Sequence, residues 1–231
     1  MSEITRTSNV ESGVHDEPLR EARVDGYETP RRDVQALVPT SARRILELGC
    51  SVGALGGALK QRQECYVVGV EVSEDYAVEA RRRLDKVLVG DAQSVLDGEI
   101  GEDPFDCLIA ADVLEHLVDP WGALRSAADR LQPGATAVIS LPNVLHFEGL
   151  WRILRGRRWP LDDAGVFDRT HLRWFAPRDM EALVRQAGLE PFRCDPQYWR
   201  WGRSLRLMHL LAKTPLAPFL AAQHVIAARK T

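Results

Sequence analysis

Two groups of residues in this chain have the types and spacing to do chemistry. The first is built around ILELGCSVGALGGAL, residues 45–59, where Gly49, Gly53, Gly56 and Gly57 surround and follow a turn entered by an apolar run holding one acid, Glu47. Two further carboxylates, Glu71 in VVGVE and Asp91 in VLVGD, close later apolar runs. The second group is DVLEH, with Asp112, Glu115 and His116, together with DRTHLRW, with Asp168 and His171. A glycine turn between a strand and a helix serves phosphate, another cofactor, or packing alone. Carboxylates beside imidazoles serve as proton acceptors, or as caps and polar packing.

The glycine turn is poorly made for phosphate. A dinucleotide site wants G-x-G-x-x-G, whose second glycine lets the backbone approach a pyrophosphate. Here Ser51 takes that place and the spacing is Gly49-x-x-x-Gly53. No Gly-Lys-Ser/Thr ending of a Walker loop is present. Glu71, at the end of its strand, suits both hydroxyls of a ribose, and Asp91 suits an adenine amino group. Adenine, ribose and an amino-acid tail, without phosphate, describe S-adenosylmethionine. Each residue has a plain reading too: glycines permit tight packing, and strand-end carboxylates are ordinary. Their joint spacing favours the cofactor. Glu47 either hydrogen-bonds backbone or holds the cofactor's ammonium. Tyr27 and Arg31 stand to close over the methionine end, with Arg31 facing its carboxylate or else solvated.

These residues need elements to position them, and the order along the chain supplies a scheme. Residues 1–26 are polar and read as a flexible N-terminal segment, leaving 27–231 as the domain. A short amphipathic helix over YETPRRDVQALVP ends before Pro39. RRILELG is a strand, GALGGALKQRQ a helix, CYVVGVE a strand, and SEDYAVEARRRLD a helix with Ser73 as candidate cap. KVLVGD and FDCLIAAD are strands; DPWGALRSAADRLQPG is a helix with Asp119 as cap, Pro120 at its first position and Pro133-Gly134 as its stop. ATAVISLPN is a fifth strand, HFEGLWRILRGRRW a helix, PRDMEALVRQAGLEPFRC a helix, glycine stop and strand, and QHVIAARK a last strand. Several strands are continuous apolar runs, as parallel strands covered on both faces are. The fold class is therefore α/β, a doubly wound sheet with its ligands at the carboxyl ends of the strands.

Composition bounds the rest. At 231 residues the chain is most simply one domain, and it needs no disulfide staples. Its four cysteines are scattered without a C-x-x-C pair, which fits a reducing cytosol. No apolar run reaches the roughly 18 residues of a membrane span. A net charge of −3 gives no global basic field, so nucleic acid is not an expected partner. A cytoplasmic protein with a small-molecule acceptor is the expectation; the oligomeric state is not legible.

The sequence resembles the class I S-adenosylmethionine-dependent methyltransferases from about Tyr27 to the last strand. ILELGCSVGALGGAL resembles the family's first motif, VVGVEVSEDYAVEARRRL its second-strand motif, VLVGDAQ its adenine-side motif, and FDCLIAADVLEHLVDPWGALRSAADRLQPGATAVISLPN its fourth-to-fifth-strand region. YETPRRDV and GVFDRTHLRWFAPRDMEALVRQAGLE resemble a bacterial subgroup that includes MetW-like proteins. The resemblance implies a Rossmann-like sheet of seven strands with the last antiparallel. It implies cofactor contacts at Glu47, Gly49, Cys50, Gly53, Glu71, Val72, Asp91, Ala92, Ala111 and Asp112, with Tyr27 and Arg31 closing over them. Ser51 departs from the family's usual glycine.

The acceptor side is less determined. Methyl transfer from a sulfonium is an in-line displacement, and a hydroxyl acceptor also needs a base. His171 is the main candidate, with Asp168 to orient it; His116 is the second and His146 another. DVLEH places Asp112, Glu115 and His116 at i, i+3 and i+4, on one face of a helix. Some related O-methyltransferases bind a divalent metal with a similar trio, but capping and packing is the favoured reading, and no metal is expected. DRTHLRW equally reads as a structural polar cluster. The arginines from Arg152 to Arg173 suit an anionic or sugar-nucleotide acceptor, or a solvated face. Trp151, Trp159, Trp174, Trp199 and Trp201 wall a pocket or pack a lid. Residues 198–222 form an apolar and basic insertion: a lid, a partner surface, or a membrane-surface contact. The expected activity is methylation of a hydroxyl on a sugar or specialised metabolite. The alternative is a MetW-like protein that binds the cofactor and serves another enzyme.

Overall fold

The computed structural model describes residues 28–98, 100–101, 104–198 and 213–231. The segment read as flexible, Tyr27, Trp199, Trp201 and most of the 198–222 insertion lie outside the described residues. The elements are α1 (Arg32–Gln35), β1 (Arg44–Leu48), α2 (Ala54–Arg62), β2 (Tyr66–Glu71), α3 (Glu74–Ala80), β3 (Lys86–Val89), α4 (Ala92–Asp97), β4 (Phe105–Ala111), α5 (Pro120–Asp129), β5 (Leu131–Pro142), α6 (Phe147–Gly156), α7 (Pro177–Gln186), β6 (Leu189–Gln197) and β7 (Gln223–Lys230). Single 3-10 turns lie at Leu114–His116 and Ala217–Phe219.

The strands form one seven-stranded sheet in the order β3-β2-β1-β4-β5-β7-β6. β1 pairs in parallel with both β2 and β4, while β7 runs antiparallel to β5 and β6. The expected seven-stranded Rossmann-like sheet with an antiparallel last strand is the one found. Strand order reverses between β1 and β4, and a crevice opens at such a switch point beyond the carboxyl ends of the strands. The glycine turn follows β1 and DVLEH follows β4. Alternate residues of each strand point to opposite faces. Leu46, Leu48, Val68, Val70, Leu108 and Ala110 pack under α4, α5 and α7 on one face, while Ile45, Val67, Cys107, Ile109 and Val138 pack under α1 and α2 on the other.

Several local expectations are corrected. α1 covers only Arg32–Gln35 of the helix read over YETPRRDVQALVP. Ser73 makes no side-chain cap; its N–H instead donates to Glu71 Oε1 at 2.9 Å. A helix missed in the sequence, α4, follows β3, and Asp91 caps it by accepting from Ser94 N at 3.2 Å. Asp119 does cap α5, accepting from Gly122 N at 3.0 Å. That helix ends at Asp129, well before Pro133-Gly134. The pair sits inside β5, where the register slips between Leu131↔Phe105 and Thr136↔Cys107, so the prolyl residue without an N–H occupies a bulge.

Candidate functional site

The turn after β1 is held in the left-handed region at three positions: Gly49 (φ 64), Ser51 (φ 48) and Gly53 (φ 74). Gly49 is required twice over, because a Cβ there would lie 2.8 Å from Val113 Cγ2. The turn after β4 therefore rests directly on the turn after β1. Ser51 adopts a conformation that glycine takes at no steric cost, which is the physical content of its departure from the family pattern. The Ser51 N–H donates to Glu71 Oε2 at 2.8 Å. Ser51 Oγ is buried with no hydrogen-bond partner among the described residues. Glu71 is buried, which raises its carboxyl above the ordinary range while the Ser73 and Ser51 N–H groups work the other way. One carboxylate thus holds the glycine turn and the start of α3.

Glu47 lies beneath the turn. It accepts from the Gly56 N–H in the first turn of α2, and burial pushes its carboxyl up to about 8. A Cβ at Gly56 would sit 2.5 Å from Glu47 Oε2, so a glycine is what lets the carboxyl reach the helix. Its Oε2 is buried with no hydrogen-bond partner among the described residues. Cys50 is buried, and a Cβ on Gly69 would meet its sulfur at 2.5 Å. Its side chain therefore faces back into the sheet, and burial pushes its thiol far up. Val72 is exposed just past β2, while Ala92 is buried at the start of α4. Ala111 ends β4 and Asp91 heads α4, so these positions ring the same carboxyl edge.

Asp112 leaves β4 with φ 56. It is not part of a helix with Glu115 and His116; the segment makes only the 3-10 turn Leu114–His116. Its carboxylate accepts from Arg31 Nη1, from Gln223 Nε2, and from Ser140 Oγ at 2.9 Å. Arg31 also donates to Asp33 Oδ2 and Ser140 Oγ, at 2.8 and 2.9 Å. It is not solvated: burial opposes its charge, and Asp112 and Asp33 outweigh that and raise its pKa. Ser140, near the end of β5, and Gln223, at the start of β7, were missed in the sequence, since neither has a motif around it.

The loop carrying Asp168 and His171 is tied to the same turn. Leu172 N and Arg173 N donate to the Glu115 carbonyl at 2.8 and 3.0 Å. His171 thereby stands beside His116, ring centroids 4.7 Å apart in a T-shaped pair, and its Nε2 lies 3.9 Å from Glu115 Oε1. Asp168 accepts from Thr170 N at 2.8 Å and Thr170 Oγ1 at 2.7 Å. Thr170 in turn meets His116 Nδ1, so Asp168 reaches His116 through a hydroxyl. His171 Nδ1 faces the Val166 carbonyl at 3.1 Å. Burial, with the Asp112 charge next to it, pushes the Glu115 carboxyl well above the ordinary range.

Much of the arginine and indole content organises this loop. Arg152 pairs with Asp162 at 2.6 Å and Arg169 with Asp163 at 2.5 Å. Trp159 packs edge-on against both Phe167 and Trp174, with centroids 5.0 Å apart in each case. Trp151, by contrast, is exposed on α6.

The comparisons with known proteins agree with this geometry. Residues 21–192 match the model of a family described as a methyltransferase domain. A ubiquinone biosynthesis O-methyltransferase from Ruegeria pomeroyi is 30% identical over 186 residues, spanning 76% of this chain and 73% of that one. Another of the same name, from Hydrogenovibrio crunogenus, is 25% identical over 193 residues, 82% of this chain and 76% of the relative. Among solved structures, a SAM-dependent methyltransferase of Thermotoga maritima superposes with a TM-score of 0.63 at 22% identity, covering 93% of this chain and 94% of the other. Magnesium protoporphyrin IX methyltransferase from Synechocystis with bound SAH gives 0.61 at 17% identity, covering 95% and 90%. The buried Ser51 hydroxyl and the paired acceptor oxygens of Glu71 fit a cofactor carrying amino-acid and ribose groups. Seven strands in methyltransferase order and a family match over most of its length establish that the chain belongs to the methyltransferase-domain family and is an S-adenosylmethionine-dependent methyltransferase.

Proposed function

We propose that the protein methylates a hydroxyl on a small-molecule acceptor, a sugar or specialised metabolite. The observation that carries this reading is the group of buried Glu115 and His171 with half-buried His116 beside the glycine turn, at the switch point where the acceptor must meet the donor. The O-methyltransferase names of the relatives support oxygen as the methylated atom. In this reading the turn at Gly49, Ser51 and Gly53 carries the methionine end, Glu71 the ribose, and Asp91 with Ala92 the adenine. Val72, Ala111 and the backbone of Cys50 line the same groove. S-adenosylmethionine supplies an already activated methyl group. What the chain must add is alignment, exclusion of water and a place for the hydroxyl proton. His171, with His116 as its neighbour, receives that proton, and Asp168 acts as a positioning residue through Thr170.

His171→Ala tests the assignment. Turnover with a hydroxyl acceptor should fall at least about 100-fold. Affinity for S-adenosylhomocysteine by calorimetry should change less than about threefold, and the variant should melt near wild type. A large loss of melting temperature, with cofactor affinity lost alongside, would mark DRTHLRW as a structural cluster instead. Methyl transfer to nitrogen or carbon at wild-type rates would overturn oxygen as the acceptor atom.

A further inference from the structure

The same cluster has a property that proton acceptance alone leaves unexplained. One ligand-type atom from each of Glu115, His116 and His171 lies within 4.8 Å of the other two. Glu115 is 1% exposed, and its Oε2 has no hydrogen-bond partner among the described residues. A buried carboxylate oxygen left so carries the full penalty of its lost hydration. His171 Nε2, at 3.9 Å from Glu115 Oε1, is beyond hydrogen-bond range and does not relieve it.

Both imidazoles are set in the tautomer that coordinates through Nε2. A carbonyl can only accept, so the Val166 oxygen at 3.1 Å fixes the proton on His171 Nδ1. His116 Nδ1 faces the Thr170 carbonyl at 3.3 Å and Thr170 Oγ1 at 3.1 Å. That hydroxyl gives its own proton to Asp168 Oδ1 at 2.7 Å, so toward His116 it accepts. A carbonyl on one ring and a hydroxyl backed by a carboxylate on the other are the outer partners that orient metal-binding histidines. Asp112, the third member of the sequence trio, is held off by Arg31, Ser140 and Gln223.

We propose that Glu115, His116 and His171 form a site for a divalent first-row transition cation, bound by one carboxylate oxygen and two imidazole nitrogens. Two nitrogens and an oxygen suit manganese, iron, cobalt or zinc, and three protein ligands leave positions open for an acceptor oxygen. The ligand atoms need to draw in by roughly 1 Å around a cation that binds each at about 2.0–2.2 Å. This reverses the expectation of no metal, and it rests on the hydroxyl-methylation reading for its purpose. A cation here holds the acceptor oxygen and lowers the pKa of its proton. With Nε2 on the cation and Nδ1 protonated toward the Val166 carbonyl, His171 then serves as a ligand in place of taking the proton itself. The proton leaves to water, the oxygen lone pair forms the new C–O bond, and the C–S pair returns to sulfur, giving S-adenosylhomocysteine.

The test is direct titration of the chelator-treated full-length protein with cobalt(II), followed by its visible absorption, and with manganese(II), followed by electron paramagnetic resonance. One equivalent should bind in wild type. Glu115→Gln and His171→Ala should each weaken binding at least about 100-fold, while His146→Gln should bind as wild type. Thr170→Val, which touches no cation, should weaken it about 10–100-fold, and it remains informative where a buried ligand variant fails to fold. Calorimetry with S-adenosylhomocysteine on the same proteins separates the two claims, since cofactor affinity should persist in the chelated protein. Absence of stoichiometric binding, or binding indifferent to Glu115 and His171, would overturn the site while leaving methyl transfer standing.

Discussion

Glu47 and Glu71 show how differently two carboxyls near one turn behave. Glu71 offers both oxygens to backbone N–H groups and faces the strand ends, whereas Glu47 is sealed beneath α2. Glu71→Ala removes the clasp between the glycine turn and α3 and, in the proposed reading, the ribose partner. Cofactor affinity by calorimetry should drop roughly 10- to 150-fold, from the loss of about 1.5–3 kcal/mol. Unchanged affinity would remove Glu71 from the cofactor site. Glu47 governs pH dependence instead. Its folded pKa of about 8 stands above the ordinary value of 4.5, so the folded state keeps a proton that the unfolded chain releases. That contribution is fully present below the unfolded pKa and is lost as pH rises toward the folded one, at up to about 1.4 kcal/mol per pH unit. Glu47→Gln cannot ionise. Denaturation profiles from about pH 5 to about pH 8 should therefore fall more steeply for wild type than for this variant. Parallel profiles would contradict the assignment.

At the scale of elements, the turn after β1 and the turn after β4 behave as one unit. Gly49→Ala places a Cβ on Val113, in the segment that carries Glu115 and His116, and forces alanine into the left-handed region. Denaturant unfolding should show a loss of about 2–4 kcal/mol, from backbone strain and overpacking together. Ser51→Gly in the same turn should gain up to about 1 kcal/mol, because φ 48 suits glycine. A stabilised Gly49→Ala or a destabilised Ser51→Gly would mean that the turn is not under these constraints. Strand positions were legible because buried parallel strands are continuous apolar runs. Helix ends were less so. Pro133-Gly134 reads as a helix stop in sequence, yet tertiary pairing with β4 draws the chain into β5 as soon as Arg130. α4 has only six residues, too few to show a helical repeat, and Asp91, read for adenine, was also the cap that announced it.

For the whole molecule, the topology gathers the motifs read as cofactor-side at the carboxyl ends of β1, β2, β3 and β4, each next to its own strand in sequence, which is why they were legible as a set. The acceptor side was not legible in the same way. Asp112 and His116 are neighbours in sequence, but the turn at φ 56 parts them, and His171 arrives from a loop beyond β5. Only the backbone bonds from Leu172 and Arg173 to Glu115 bring that loop in. No helix among the described residues is long and apolar enough to cross a membrane. Ligand linkage offers a check on the assembled site: S-adenosylhomocysteine at about 100 times its Kd should stabilise the fold by about 2.7 kcal/mol, or roughly 5–10 °C in melting temperature. No shift at saturating ligand would mean the groove is not assembled.

The most direct measurement of what the protein does is to incubate it with methyl-labelled S-adenosylmethionine and an extract of its host, then identify the labelled product by mass spectrometry. The expected product is a small molecule carrying the label as a methyl ether, formed by wild type and not by His171→Ala. Label on nucleic acid or protein, on nitrogen or carbon, or on nothing while a second enzyme co-purifies with the protein, would contradict the reading.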